Sequence, residues 1–403
     1  SPTTLYIAGY LKTGYGSHYG RGGDEGFVAR FELTKDRGLV QTWIAFLSGT
    51  GEDRLLDLAV DESGVYVVGS YQASAYGETT LGPRGVPTQL PAPTLLNIDG
   101  LVAALEPTSG KVLWHQVIAS TKRDESTSVT LDRAGNVIVA TSFRGTLSKP
   151  AMPNAGPGVL LGRFLPQSGQ LDVSHVFTSS KEISVGAVEP SAAGNALLLA
   201  GRFEGSMQVT PMISVSSAGV AAFLLNLDDN FNVTFVQKLD SQGDPVTPQR
   251  IISDSRGTWL LGTFDGRLAV DEQSFTNSSG SPDAFLLSLK PTGNKLTLGE
   301  LVVFQGDSVE LVDGLTLAGS ADDDNKLVLF GSYRGQSLFG SANAQTPFLA
   351  AFDLPLTSGA SPSWVIRPQE HLPARAAAMA HNGERFLLVG AGTRALGLQP
   401  WLI

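Results

Sequence analysis

A strand ending in glycine, with an aromatic residue close behind, returns through this chain at a nearly constant interval. The copies are LYIAGY at Gly9, VYVVGSY at Gly69, IVATSF with Thr141 in the glycine place, LLLAGRF at Gly201, WLLGTF at Gly262, LVLFGSY at Gly331 and FLLVGAG at Gly390. The intervals are 60, 72, 60, 61, 69 and 59 residues, a mean of 63.5. A fixed period of this kind marks a repeat architecture and outranks local propensity.

Six of these strands follow a turn of one chemistry. The turns are Asp61-Glu-Ser-Gly, Asp132-Arg-Ala-Gly, Pro190-Ser-Ala-Ala-Gly, Asp254-Ser-Arg-Gly, Asp322-Asp-Asp-Asn and His381-Asn-Gly. Asp and Asn bond back to the turn backbone and Gly supplies a positive φ, so tight hairpins are expected. A variable loop and a third apolar run follow each glycine strand, as in GFVARFEL from Gly26. A fourth run often carries Trp, as at Trp43, Trp114 and Trp364. Four short strands per repeat, numbered here from the one before the turn, describe a propeller blade whose two faces pack on neighbouring blades. Burial on both faces accounts for apolar runs such as AFLLSL. PARAAAMA, from Pro373, has helical composition but occupies a first-strand place, and position predicts a strand.

The order of motifs resembles the bacterial β-propeller repeat known as SBBP. The first unit carries the likeness best, in Asp24–Phe31 (DEGFVARF), Trp43, Gly49–Asp53 (GTGED) and Leu58–Gly69 (LAVDESGVYVVG). The likeness spans essentially the whole chain and decays around Gly201 and Gly390. It implies an exported bacterial protein, extracellular or on the cell surface with the periplasm as the alternative, and it implies no catalytic residues.

At 403 residues, two or three domains would be the first expectation. The repeat replaces it with a single all-β domain over residues 1–403, a seven-bladed propeller, with six or eight blades as alternatives. Six first, seven second, seven third and six fourth strands are expected, which leaves the first and last blades incomplete. A net charge of −10 without a basic stripe argues against nucleic acid as a partner. The absence of cysteine excludes disulfides and thiolate sites. No run of about 20 apolar residues is present to span a membrane.

Chemistry is sparse. The long loops Leu11–Asp24, Gln72–Ile98, Arg144–Pro157 and Gly266–Pro282 share one face with the blade-to-blade links, and long loops are where binding sites gather. Tyr15, His18 and Tyr19 lie in the first and Tyr76 in the second, which is the favoured contact surface. The glycine-rich run from Gly14 leads into a strand rather than a helix, so it is not a phosphate loop. Asp228, Asn230 and Asn232 open like a calcium loop but lack its later Gly and Glu. Asp322, Asp323 and Asp324 occupy an ordinary turn slot. No cofactor is expected; calcium at these two turns is the open alternative. His115 and His175 share a fourth-strand place and are expected at the surface. The links carry Asp53, Arg54, Glu125, Glu182, Arg250, Glu310 and Arg375. Asp53 and its counterparts are expected to tie one blade to the next.

These features fit a non-catalytic binding or scaffold module that engages a protein or glycan through the long-loop face. A carbohydrate-active lyase or hydrolase at the channel mouth is the second reading, and it requires two carboxylates about 5–10 Å apart. A third is a structural subunit that self-associates through open blade edges.

Overall fold

The computed structural model describes residues 4–11, 23–34, 38–72, 78–92, 97–152, 156–192, 195–240, 245–255, 257–270, 273–277, 282–292, 295–304, 310–318, 326–337, 339–357, 360–367, 374–381, 386–392 and 399–402. Every regular element among them is a strand. The chain divides into two compact units, Ser1–Pro190 with Ser206–Val215, and Ser191–Gly205 with Ser216–Ile403.

In the first unit, repeat 1 pairs Thr4–Leu11, Glu25–Thr34 and Gly38–Ser48 in that order. Repeat 2 is an antiparallel meander of Arg54–Val60, Val65–Gln72, Ile98–Leu105 and Val112–Ser120. Repeat 3 repeats it with Asp124–Leu131, Val137–Phe143, Gly158–Phe164 and Leu171–Ser179. In the second unit, repeat 5 pairs Val246–Asp254, Gly257–Phe264, Asp283–Thr292 and Lys295–Phe304. Repeat 6 pairs Glu310–Ala318, Lys326–Ser337, Gly340–Asp353 and Trp364–Ile366. Repeat 7 pairs Ala374–His381, Phe386–Gly392 and Gln399–Leu402, so the run from Ala374 is a strand despite its alanines. Repeat 4, with strands Glu182–Pro190, Leu197–Thr210, Ile213–Leu227 and Val233–Leu239, is divided between the units. Within each unit the meanders are propeller-like.

The third strand of repeat 2 shows why the runs are apolar. Leu101, Ala103 and Leu105 pack with Val28, Trp43 and Leu47 of repeat 1, while Val102 and Ala104 pack with Val139, Phe143 and Leu160 of repeat 3. Each large side chain buried this way contributes about 1.5–3 kcal/mol. Alternation of polar and apolar residues has no use where both faces are covered.

The repeated glycine answers to a bulge. Five first strands lose register at the same place, between Leu55 and Asp57, Ser126 and Ser128, Pro248 and Arg250, Val312 and Gly314, and Ala376 and Ala378. In each, the residue just before the shift lies opposite the glycine place, namely Gly69, Thr141, Gly262, Gly331 and Gly390. The extra residue pushes the strand toward its partner. A β-carbon on Gly69 would fall onto the carbonyl oxygen of Arg54, and one on Gly262 would lie 2.7 Å from that of Thr247. Repeat 3 makes the same bulge beside Thr141, whose hydroxyl meets Ser126 Oγ at 2.8 Å.

Tryptophans lock neighbours together. Trp43 Nε1 donates to the Pro107 carbonyl at 2.9 Å, and Trp114 Nε1 donates to that of Pro166 at 2.6 Å. Each indole lies on the glycine that ends the same turn in the next repeat, Gly110 (φ +71°) or Gly169 (φ +66°). A β-carbon there would meet the ring at 2.6 or 2.5 Å, respectively.

The long loops depart from expectation. The sequence predicts irregular contact surface there, yet short segments of them add strands or bridges to the preceding repeat. Thr80–Pro83 pairs with Ala45–Ser48, Leu147 and Lys149 with Ser120 and Ala119, and Met207 and Gln208 with Ser179 and Thr178. Asp240 bridges Ala269 in the same manner. The reason is the fourth strand, whose outer edge would otherwise expose unpaired N–H and C=O groups. Each hook is anchored by a fully or nearly fully buried apolar side chain, such as Leu81, Leu147, Met207 or Leu268.

Two substitutions test this account in urea unfolding. We expect Gly69→Ala to cost about 1–3 kcal/mol as the first strand is forced outward. Trp114→Ala should cost about 3–5 kcal/mol, since it leaves a cavity and removes the bond to Pro166.

Candidate functional site

The link charges come to equivalent places. Arg54, Glu125 and Arg375 all lie opposite the residue that follows the glycine place, Ser70, Ser142 and Ala391. Glu182 and Glu310 open the first strands of their repeats, and Arg250 follows the bulge of its own. Tyr15, His18, Tyr19, Tyr76, Asp322, Asp323 and Asp324 lie outside the described residues.

Arg54 is the most connected of these groups. Its Nε donates to Asp24 Oδ2 at 2.5 Å, its Nη2 lies 3.2 Å from Glu52 Oε2, and its guanidinium sits 5.0 Å over the Tyr10 ring. Burial works against the charge, but the hydrogen bond it donates to Asp24 and the charges of Asp24 and Glu52 outweigh that and raise its pKa. The cluster joins repeat 1 to repeat 2. Glu125 meets Arg123 at 3.5 Å and Glu182 meets Arg144 at 3.3 Å. The second pair is more than half exposed on both sides, so it contributes little to stability.

Asp53 and Asp124 occupy the links themselves and are fully buried. Asp53 Oδ1 accepts the Gln72 N–H at 3.2 Å, and the Asp53 N–H donates to the Asp24 carbonyl at 3.0 Å. Asp124 accepts the Ser120 N–H. Burial pushes Asp53 up to about 7, opposed by backbone hydrogen bonds from Gln72 and Gly49 and reinforced by the charge of Glu25. Burial likewise pushes Asp124 to about 7, opposed by hydrogen bonds from Ser120 and Arg144 and reinforced by Asp99. Asp99 is itself raised by burial to about 6, with Lys149 holding it back. A carboxyl group near 7 suits proton transfer. These two have no exposed surface, and each gives one oxygen to the link backbone, so the geometry makes them clamps. The other oxygen of each, Asp53 Oδ2 and Asp124 Oδ1, is buried without a well-formed hydrogen bond among the described residues.

Asp228 Oδ1 accepts the N–H groups of Asn230 and Asn232, both at 2.9 Å, and Oδ2 accepts Asn232 Nδ2 at 3.0 Å. Burial is the largest single influence and raises its pKa, but the bonds from Asn232 and Asn230 together outweigh it and hold the carboxylate below its usual range. Asp132 binds Ala134 and Asn136 in the same pattern. The motif is a turn device in both places. No group of three or more His, Asp or Glu side chains disposed to hold a metal ion occurs among the described residues.

The histidines require a correction. His115 and His175 are half-buried rather than on the surface, and burial lowers both pKa values. Propeller-type packing covers fourth strands with the next repeat, and His175 lies 4.5 Å from the Phe177 ring. His115 also lines a groove of about 350 Å³ that the sequence did not indicate. Its walls are Gln116, Pro91, Lys149, Phe164 and Leu171, drawn from repeats 2 and 3, and only folding brings them together.

The buried carboxylates predict a pH dependence. Their folded pKa values lie above the unfolded value of 3.8, so the folded state holds more protons between about pH 4 and 7. Their contribution is full below about 4 and is lost as pH rises through 6 to 7. Each accounts for at most about 1.4 kcal/mol per pH unit in that window. We expect urea unfolding of Asp53→Asn and Asp124→Asn variants to show a less negative dependence on pH than the parent chain.

No family model matches this chain, and no curated protein matches it.

Proposed function

We propose that the repeats form one seven-bladed propeller acting as a non-catalytic binding or scaffold module of an exported bacterial surface protein. It engages a protein or glycan through the face that carries the blade-to-blade links and the long loops. The described strands support seven units, with six first, seven second, seven third and six fourth strands. The observation that carries the function is the use of the link charges. Asp53, Asp124 and Arg54 are each engaged in joining neighbouring repeats, which is the work of a scaffold. The second strands are tied to the links by bonds such as Ser206 N–H to Ser180 Oγ at 2.8 Å and Glu52 N–H to Gln72 Oε1 at 3.1 Å. A rigid frame of this kind fixes the described bases of the loops, which lowers the ordering cost of binding. The likeness of Asp24–Phe31 and Gly49–Asp53 to the SBBP repeat supports export to the cell surface.

The test is a glycan and protein array with the purified chain, followed by titration of each hit. We expect saturable binding that weakens at least tenfold in a variant carrying Tyr15→Ala, His18→Ala and Tyr19→Ala, with the ligand recovered intact. Time-dependent cleavage of a bound glycan, lost in Asp53→Asn, would overturn the reading in favour of an enzyme.

A further inference from the structure

The hooks differ in how far they run. In repeat 1 the added strand covers four residues of the fourth strand, Ala45–Ser48. In repeat 2 it covers only Ser120 and Ala119, because the chain turns away after Lys149 and Ser148 bridges Ala151 instead. Among the described residues, strand pairing on that side stops at Ala119, while on the other side Ile118, Val117, Gln116 and His115 pair with Gly100–Ala103. The groove lies where the hook stops. Its floor is this edge, and Phe164 and Leu171 supply an apolar wall. Lys149, exposed at the hook end, is the cation in its lining, and the ammonium has no carboxylate within ion-pair distance among the described residues. Asp99 feels the charge of Lys149 from behind but is itself buried.

We propose that this groove is a strand-addition site for an extended peptide of a partner protein, acidic near its N-terminal end and apolar at alternate positions. The slot is one that the chain fills with its own backbone in repeat 1, so an added strand there has the hydrogen-bonding geometry of an existing one. An antiparallel peptide continuing the line of the hook has its N-terminal end beside Lys149, which places the acidic residue. Residues two apart along it face the same side, so alternate side chains reach Phe164 and Leu171. Main-chain bonds to the edge supply affinity, and the wall and the ammonium supply selectivity. The proposal goes beyond the loop-face reading in naming an edge and the class of its occupant.

The probe is an acetylated peptide of sequence DVTVT with a fluorophore at its C-terminus, titrated by polarisation against the full chain. Two further versions carry N-methyl groups either on both valines or on both threonines. In a docked strand only one of these sets points its N–H groups at the protein. We expect saturable binding by the parent peptide, a loss of at least tenfold with one N-methylated version and a much smaller loss with the other. Lys149→Glu, at an exposed position, should weaken binding at least tenfold, and Leu171→Asp should do the same with an unchanged circular dichroism spectrum. No binding, equal binding by all three peptides, or binding indifferent to Lys149→Glu would each overturn the proposal.

Discussion

In repeats 2 and 5 the first strand approaches its neighbour so closely, at one point, that a side chain is hard to fit, and five repeats share the bulge that causes it. There the first strand carries an extra residue, and the second strand answers with glycine at Gly69, Gly262, Gly331 and Gly390. A bulge increases local twist, and a twisted sheet can stack on a twisted neighbour with both faces in contact. Thr141 shows that the glycine is one solution among others. Its hydroxyl takes Ser126 as a partner, and the bulge is kept.

Once sheets stack by both faces, their edges still need partners. The inner strands meet through single bonds between neighbouring repeats, such as Val129 N–H to Asp57 Oδ2 at 3.0 Å and Val188 N–H to Ser128 Oγ at 3.1 Å. The outer edges are covered by hooks from the following repeat, and the tryptophans of repeats 1 and 2 reach forward to a turn glycine of the next. Repeats 1 to 4 are therefore each completed in part by the next, as expected of units too small to bury their own faces. The buried Asp53 and Asp124 belong to the same scheme, because they close the links through which one repeat passes into the next.

Much of this was legible in the residues. The spacing of the glycine strands located the second strands, and turn chemistry such as Asp132 to Asn136 located the hairpins that precede them. The strand at Ala374–His381 was predicted by its place in the period, although alanine favours helix. The site was far less legible. Asp53 and Arg54 are adjacent in sequence and look alike as link charges, yet one is buried against backbone and the other spans Asp24, Glu52 and Tyr10. His115 looks like an exposed residue because strand patterning cannot register a neighbour from another repeat.

The loops mark the division most clearly. A stretch such as Gln72–Ile98, rich in Gly, Pro and Thr, announces only that it is not a regular strand of its own repeat. Its pairing partner is the edge Ala45–Ser48, about 35 residues earlier, and a short segment of weak propensity becomes a strand only when such an edge is presented to it. The sequence by itself determined the repeat, its strands and its turns, because those follow from contacts between residues close along the chain. Tertiary structure alone decided which edge each hook covers, which carboxyl groups lose their water and where a groove is left. Those outcomes depend on how one finished sheet lies against the next.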